Sequence, residues 1–191
     1  MFQLTPVIKN IIIINVIIFF SIHLNLIPIP NLENYFVLRP FNFGFKPYQI
    51  FTSMFMHGST THLIFNMIGL VFLGPHVENN LGSKRFLNLY LLSGIASGIA
   101  HLALVNSPAV GDSGAIYGML GAFAAMFPNM KLMVFPLPIP IKAIFLIGGY
   151  IVYDLYSGLS NRATGIAHFA HVGGAIAGIA LIFYWGKQKQ Y

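Results

Sequence analysis

The chain has 191 residues; 57% of them are hydrophobic, only 7% are charged, and the mean hydropathy is +0.76. Soluble domains carry about 25% charged residues, so this composition excludes an ordinary water-soluble domain and predicts an integral membrane protein. The ten basic residues behind the net charge of +6 are scattered, which argues against nucleic-acid binding, and the lack of cysteine excludes disulfides and a cysteine nucleophile.

Six apolar segments are long enough, or nearly so, to cross a bilayer, which takes about 17–25 residues. They run near 7–27, 61–80, 85–105, 113–128, 141–159 and 168–186. The first is too long for a signal-peptide core and has no small-residue cleavage pattern, so we interpret it as a retained span. The fourth is short, as expected for a helix that starts below the membrane surface. We therefore predict one all-α membrane domain over 1–191, a bundle of six transmembrane helices.

Two connections between these segments carry distinctive residues. The segment 28–60, between the first two spans, is rich in Phe, Pro and Asn and is too apolar for an ordinary solvated loop. We predict that this long loop lies in or on the outer lipid interface. Pro136, Pro138 and Pro140 predict a tight connector before the fifth span.

The positions of lysine and arginine predict how the bundle is oriented, because cytoplasmic loops are enriched in both. With the N-terminus inside, seven of the ten fall on the inner side, and Arg39, Lys46 and Arg162 fall on the outer side. An even number of spans then places the C-terminus inside as well. This N-in/C-in topology puts Ser113 and His171 near the outer ends of their helices.

Ser113 and His171 are the candidate catalytic residues. A serine and a histidine at bilayer depth are costly unless they have a partner or a function. Ser113 lies in Gly111-Asp112-Ser113-Gly114 at the start of a helix, where free N–H groups favour a nearby anion. Gly111 and Gly114 permit a sharp turn and a close approach of the backbone to a substrate. The alternative is that Ser113 only caps its helix.

The two helices that carry these residues have small side chains at every fourth position, which lets helix backbones approach closely in lipid. The small residues are Gly114, Gly118 and Ala122 on the fourth span, and Ala170, Gly174 and Gly178 on the sixth. If these faces meet, Ser113 and His171 come together, and Tyr117, on the same helix face as Ser113, packs beside the base. Without a partner, His171 would be a structural hydrogen bonder. His168 is expected to cap the helix or to face water.

His62 and Asn66 form a second candidate group. They are four positions apart on the second span, so both point the same way into the bundle. Both can donate hydrogen bonds, which suits the stabilisation of an oxyanion; the alternative is that they join helices through polar contacts. His57 precedes this helix and is expected to order the outer loop.

Four segments resemble, in order and in the matching spans, the motifs of the rhomboid intramembrane serine proteases. They are His57-Gly-Ser-Thr-Thr-His62-Leu-Ile-Phe-Asn66, Glu78-Asn-Asn-Leu-Gly82, Gly111-Asp-Ser113-Gly114 and Ala170-His171-Val-Gly-Gly174. The resemblance extends over nearly the whole chain. It implies a multi-pass endopeptidase that cleaves single-span membrane proteins in or near the outer part of their transmembrane segments. For a bacterial-type member, we expect it in the cytoplasmic membrane.

By this resemblance, Ser113 would be the nucleophile and His171 the general base, a dyad without a catalytic acid, acting through an acyl-enzyme. His62, Asn66 and the backbone N–H of Ser113 would form the oxyanion hole, and Tyr117 would pack against His171. The expected partners are transmembrane protein substrates and the lipid bilayer. No metal or cofactor is expected.

Some residues depart from the family's pattern, and others match it but are not expected to take part in catalysis. By the resemblance, Glu78 and Gly82 would be structural and near the inner side. Many bacterial members carry Trp-Arg where this chain has Tyr48-Gln49, which leaves the anchoring of the first loop open. Asp112, next to the nucleophile, is hypothesised to disfavour acidic substrates.

Other classes fit the sequence less well. An aspartyl intramembrane protease needs Gly-x-Gly-Asp after Tyr-Asp, whereas Gly111-Asp112 precedes Tyr153-Asp154. A metalloprotease would show His-Glu-x-x-His, and a transporter would show a repeat or a pair of carboxylates; the sequence has none of these. Asp154 could complete a triad or hydrogen-bond within the bundle. A catalytically silent rhomboid-like binder is the alternative function, although such relatives usually lose the serine or the histidine.

Overall fold

The computed structural model of the chain describes residues 3–134, 137–160 and 167–188. Within these ranges, the helices are α1 (Pro6–His23), α2 (Gln49–Thr52), α3 (Thr60–Leu81), α4 (Ser83–Leu104), α5 (Ser113–Met126), α6 (Ala143–Leu159) and α7 (His168–Gln188). Two strands, β1 (Lys131–Val134) and β2 (Leu137–Lys142), form an antiparallel hairpin between α5 and α6. Short 3₁₀ turns, Leu32–Tyr35, Phe41–Phe43 and Ser53–Phe55, lie between α1 and α3.

Four helices of the described residues are long and apolar enough to cross a membrane: α1, α3, α4 and α7. The other two apolar helices, α5 and α6, have only 14 and 17 residues. At about 1.5 Å per residue, α5 is about 21 Å long, which is less than the roughly 30 Å of a bilayer core. Each segment that the sequence predicts as a span contains one of these six helices, and the number of helices that cross the membrane stays a prediction.

The outward surface of the bundle is apolar. Ile17 on α1, Phe65 on α3, and Phe145 and Val152 on α6 are each more than half exposed. An apolar surface of this kind is rare on proteins that live in water and marks contact with lipid or with another protein. Together with the long apolar helices, it supports the prediction of an integral membrane protein.

The centre of the bundle is the contact of α5 with α4 and α7. A side chain at Gly174 would collide with the backbone oxygen of Gly114, and one at Gly178 would collide with that of Gly118. The prediction that the small-residue faces of these two helices meet is confirmed. The backbones of α5 and α7 are in direct contact, which positions the ends that carry the candidate catalytic residues.

A buried carboxylate joins the start of α1 to the end of α3. Glu78 is 2% exposed, and it accepts hydrogen bonds from the backbone N–H groups of Val7 at 3.1 Å and Ile8 at 3.2 Å. The hydroxyls of Thr5 and Ser83 also donate to this carboxylate. Because a helix N-terminus favours negative charge, Glu78 caps α1 and ties it to α3 and α4, which is a structural role.

Residues in the left-handed region end two helices. Gly82, with φ of +79°, is the single residue between α3 and α4 and allows the chain to turn at once. Asn25, with φ of +50°, follows α1. This left-handed residue and the proline at position 28 explain why α1 ends at His23 and not near residue 27, where the apolar pattern ends.

The hairpin departs from the all-α prediction. The sequence predicts only a tight connector, but Pro138 and Pro140 lie in β2, whereas Pro136 lies outside the described residues. In a two-stranded ribbon each strand has a free edge, and a proline there removes no hydrogen bond. The strand pairs its last residue, Lys142, with Lys131 of β1. A strand with two prolines is therefore tolerated because its second edge is unpaired.

Gln49 anchors the first loop. It is 2% exposed, and its side-chain oxygen accepts hydrogen bonds from the backbone N–H groups of Lys46 at 3.0 Å and Arg39 at 3.3 Å. Gln49 thus supplies an anchor for this loop where, by the resemblance, many bacterial members carry Trp-Arg. The placement of this loop in the lipid interface stays a prediction.

Candidate active site

Ser113 and His171 lie in direct contact. Ser113 is the first residue of α5, and His171 lies near the start of α7. The Oγ atom of Ser113 is 2.9 Å from the Nε2 atom of His171, which is a hydrogen-bond distance. The structure thus brings together two residues that are far apart in sequence and joins a hydroxyl to an imidazole that can take its proton.

The second ring nitrogen of His171 faces Asp154 on α6. Nδ1 is 3.2 Å from the Oδ2 atom of Asp154, and Asp154 is 3% exposed. A carboxylate in this position favours the tautomer with the proton on Nδ1, which leaves Nε2 free to accept the proton of Ser113. The sequence left open whether Asp154 completes a triad or hydrogen-bonds within the bundle, whereas the family's dyad has no acid; the structure places Asp154 against His171. The available signal was a carboxylate inside an apolar helix.

His168 shares the same carboxylate. Its Nδ1 atom contacts the Oδ1 atom of Asp154, and the residue is almost fully buried. The expectation that His168 faces water is therefore wrong, and its capping of the helix stays a prediction. His168 and His171 are three positions apart, so both lie on one face of α7. Because α6 packs against that face, one carboxylate meets two imidazoles.

Tyr117 stacks against the face of the His171 ring. The two ring centroids are 4.1 Å apart and the ring planes differ by 12°. Tyr117 lies one turn after Ser113 on α5, so a single helix carries the candidate nucleophile and the aromatic partner of the candidate base. The packing that the resemblance implies is present, and it restricts the orientation of the imidazole.

A cavity of about 1300 Å³ reaches the hydroxyl of Ser113. The residues that line it near the candidate pair are His62, Asn66, Ser113, Tyr117, His168 and His171. Other parts of the lining come from the end of α6 and from the segments that precede α3 and α5. An extended backbone placed in this space could therefore reach the Oγ atom.

His62 and Asn66 line the cavity from α3. Ser59 caps this helix, because its Oγ atom accepts a hydrogen bond from the backbone N–H of His62 at 3.2 Å. Gly111 passes directly beside the His62 ring. Its φ is +116°, and a Cβ atom there would lie 2.6 Å from the Cε1 atom of His62. Glycine is therefore the residue that lets the chain pass from the loop to Ser113.

The sequence suggested two roles for Gly114, and the structure shows the contact between helices. A side chain there would collide with Ser97 of α4 and would lie 3.4 Å from the backbone oxygen of Ala170 on α7. This position faces the neighbouring helices, and the expectation that Gly114 also lets the backbone approach a substrate closely stays a prediction. Its role is to let α4 and α7 pack against the start of α5.

Asp112 faces away from the cavity. It is fully buried, with Oδ1 at 3.0 Å from the Nε2 atom of His57. Its Oδ2 atom accepts a hydrogen bond from the hydroxyl of Tyr90 at 2.7 Å and lies 3.4 Å from the amide nitrogen of Asn15. The carboxylate has no surface in the cavity and so makes no direct contact with a substrate there; the hypothesis that Asp112 disfavours acidic substrates stays a prediction.

The arrangement has the parts that acyl transfer by serine requires. The hydroxyl of Ser113 has a base in contact, and that base has an orienting carboxylate. As the first residue of α5, Ser113 also carries one of the unpaired backbone N–H groups of a helix N-terminus, where negative charge is stabilised. His62 and Asn66 bring further donors to the same cavity.

Comparison with known proteins gives the family. Residues 44–188 match the family model of the rhomboid domain. The chain is 30% identical over 164 residues to "Rhomboid protein 1, mitochondrial" of Saccharomyces cerevisiae, which covers 82% of this chain and 46% of that protein. It is 30% identical over 148 residues to "Rhomboid-like protease 3" of Toxoplasma gondii, covering 76% of this chain and 54% of that protein. It is 33% identical over 132 residues to "Rhomboid protease GluP" of Bacillus subtilis, covering 69% of this chain and 24% of that protein.

The chain thus spans about half, or less, of the length of these curated relatives. The matched region contains the segments around Ser113 and His171 as well as the helix of His62 and Asn66. The resemblance that the four sequence motifs predict is confirmed. This chain belongs to the rhomboid family of integral membrane proteins.

Proposed function

We propose that this chain is an intramembrane serine endopeptidase that cleaves single-span membrane proteins in or near the outer part of their transmembrane segments. The observation that carries the proposal is the 2.9 Å contact between Ser113 Oγ and His171 Nε2 beside a large cavity. The printed names of two relatives, from Toxoplasma gondii and Bacillus subtilis, contain the word protease and support the same activity.

The geometry supports a two-stage reaction. Ser113 gives its proton to Nε2 of His171 as its oxygen attacks the scissile carbonyl carbon. The backbone N–H of Ser113, His62 and Asn66 donate hydrogen bonds to the oxygen that becomes negative. His171 then returns the proton to the departing amine, which leaves an acyl-enzyme on Ser113. A water molecule activated by His171 releases the second product.

Asp154, Tyr117 and Gly111 support this chemistry without touching the scissile bond. Asp154 holds the proton of His171 on Nδ1, and Tyr117 keeps the imidazole plane in place. Gly111 allows the loop before Ser113 to pass close to the ring of His62. The family's dyad therefore works in this chain with an orienting carboxylate.

The proposal includes six membrane-crossing helices with both termini inside. The lysine and arginine distribution favours this topology. With this topology, the start of α5 lies toward the outer face of the membrane, which in a bacterium is the cytoplasmic membrane. Because α5 is short, Ser113 then lies below the membrane surface. A substrate helix must unwind locally there, since a carbonyl that is hydrogen-bonded within a helix is not open to attack.

Covalent labelling tests the proposal. A fluorophosphonate carrying a fluorophore should label the purified protein in detergent, and Ser113→Ala and His171→Ala should abolish or strongly slow the labelling. Ser107→Ala is the matched control, because Ser107 also lines the cavity but has no base in the proposed mechanism; labelling there should be unchanged.

Cleavage of a fluorogenic single-span transmembrane peptide, with and without EDTA, completes the test. Loss of cleavage in Ser113→Ala and full activity in EDTA are expected. Labelling that survives Ser113→Ala would overturn the assignment of the nucleophile, and cleavage lost to EDTA would favour a metal mechanism. Binding of the peptide without labelling or cleavage would favour a silent binder.

A further inference from the structure

We propose that Asp112 is a positioning residue for the oxyanion site: acting through His57, it turns the N–H groups of Asn66 toward the cavity. The inference rests on the proposed serine protease function. It assigns a task to a buried carboxylate that the reaction steps above do not use, next to the nucleophile in sequence but facing the opposite way.

The first step concerns the partners of Asp112. Although Asp112 occupies the N-cap position of α5, its side chain makes no hydrogen bond to the helix end. Its Oδ2 atom instead faces two donors, the hydroxyl of Tyr90 and the amide of Asn15. Its Oδ1 atom remains for His57, at 3.0 Å. The carboxylate thus acts only as an acceptor, and the group that meets Oδ1 has to be a donor.

The second step fixes the tautomer of His57. Because Oδ1 of Asp112 accepts, the Nε2 atom of His57 carries the proton. The Nδ1 atom of His57 is then an unprotonated acceptor. It has no hydrogen-bond partner among the described residues. The other tautomer would place the proton on Nδ1 and leave a buried N–H group there without an acceptor, which is the costlier arrangement.

The third step concerns the amide of Asn66. In the structure its Nδ2 atom lies 3.0 Å from the same Nε2 atom of His57. Two N–H groups cannot donate to each other, and the two ends of an asparagine amide exchange by a half-turn that keeps its shape. With His57 protonated on Nε2, the oxygen of Asn66 faces His57 and its N–H groups face the cavity. Those N–H groups are the donors that an oxyanion requires.

His57 also touches the other proposed donor on α3. The rings of His57 and His62 meet edge to face, with centroids 5.0 Å apart. His57 is fully buried, so this contact is a packing contact and not a substrate contact. A carboxylate directly behind the nucleophile loop thereby controls one oxyanion donor through a hydrogen bond and supports the second through ring packing.

Fluorophosphonate labelling tests this inference, since the serine oxygen displaces fluoride at phosphorus while the phosphoryl oxygen takes the oxyanion position. Asp112→Leu keeps much of the volume and removes the acceptor. We expect its maximal labelling rate constant to fall about 100-fold, the order seen when one oxyanion donor is lost. The concentration of probe at half-maximal rate should change less than about threefold, because probe binding itself is not affected. The maximal labelling rate constant of Asp112→Asn, which keeps one acceptor oxygen, should fall less than that of Asp112→Leu.

The decisive measurement repeats Asp112→Leu in an Asn66→Ala background. If Asp112 acts through Asn66, the second substitution should cost less than about twofold there, because effects that act through one group are not additive. An equal fold loss in both backgrounds would mean a merely structural role and would overturn the inference, as would an unchanged rate in Asp112→Leu.

Two further variants keep the test decisive. If Asp112→Leu does not fold, His57→Phe keeps the ring and removes the Nε2–H group, and it should show the same loss and the same lack of additivity with Asn66→Ala. Ser93→Ala is the matched control, since Ser93 is a fully buried polar residue on α4 outside this network; its rate should be that of the wild type. Labelling that persists in Ser113→Ala would instead defeat the protease function itself.

Discussion

Three of the four acidic side chains in this protein are buried, and they lie in two regions with different partners. Glu78, where α1 meets α3 and α4, is bound by backbone N–H groups and hydroxyls. Asp112 and Asp154, on either side of Ser113, are bound by histidines. Burial alone therefore does not separate Glu78 from the two carboxylates for which we propose a function. The hydrogen-bond partner of the carboxylate makes the distinction. An imidazole can gain and lose a proton near neutral pH, whereas a peptide N–H keeps its proton.

The largest effect is expected from Asp154→Asn. In serine hydrolases, an amide in place of the orienting carboxylate lowers kcat by about 10⁴ because it favours the wrong tautomer of the base. We expect fluorophosphonate labelling of this protein to slow by about 10³-fold, with His168 retaining part of the geometry. A labelling rate within threefold of the wild type, in protein that is shown to be folded, would remove Asp154 from the mechanism.

A smaller loss of activity is expected from Tyr117→Leu. An aromatic pair contributes about 0.5–1.5 kcal/mol beyond its burial, so losing the stack on His171 should slow labelling by roughly 2- to 10-fold. Tyr184→Leu is the control, since Tyr184 is an exposed aromatic of α7, and its labelling rate should not change. Equal losses in the two variants would show that stacking on the base has no special role.

The smallest effect on chemistry is expected from Glu78→Gln. The amide is a weaker acceptor for the donors that now bind the carboxylate, so we expect a loss of about 1–3 kcal/mol in stability and a lower Tm in detergent. Labelling per folded molecule should stay at the wild-type rate. Glu33→Gln, at a partly exposed site of the first loop, should change neither quantity. Slower labelling with an unchanged Tm would place Glu78 with the functional carboxylates.

Much of this architecture was predictable because lipid imposes strict rules on sequence. A run of about 20 apolar residues has few alternatives to a helix, so each predicted segment is a helix in the structure. Polar side chains within such runs need partners, and Ser113 and His171 are partners of each other. The small-residue stripes identified the two helix faces that meet.

The remaining features depend on contacts between distant parts of the chain. Asp154 reaches His168 and His171 only because α6 is rotated to present it to α7, and local sequence patterns do not encode that rotation. Similarly, Asp112 points inward because Tyr90 on α4 and the first helix offer donors there. Strand β2 was not predicted because prolines argue against a strand. They are tolerated in β2 because it pairs with β1 along one edge only, which the sequence does not reveal.

The contact between the backbones of α5 and α7 has a practical consequence for engineering this protein. Gly174 and Gly178 lie directly against the carbonyl groups of Gly114 and Gly118. At these positions no side chain lies between the two helices, so none can change its conformation to make room for an added group. We expect that the lipid-facing exterior can be redesigned, for solubility or for crystal growth, without altering the spacing of the proposed catalytic pair, Ser113 and His171. A single methyl group added at Gly174 would instead push α5 and α7 apart and separate that pair. One added carbon atom in the interior would therefore change the site more than many substitutions on the surface.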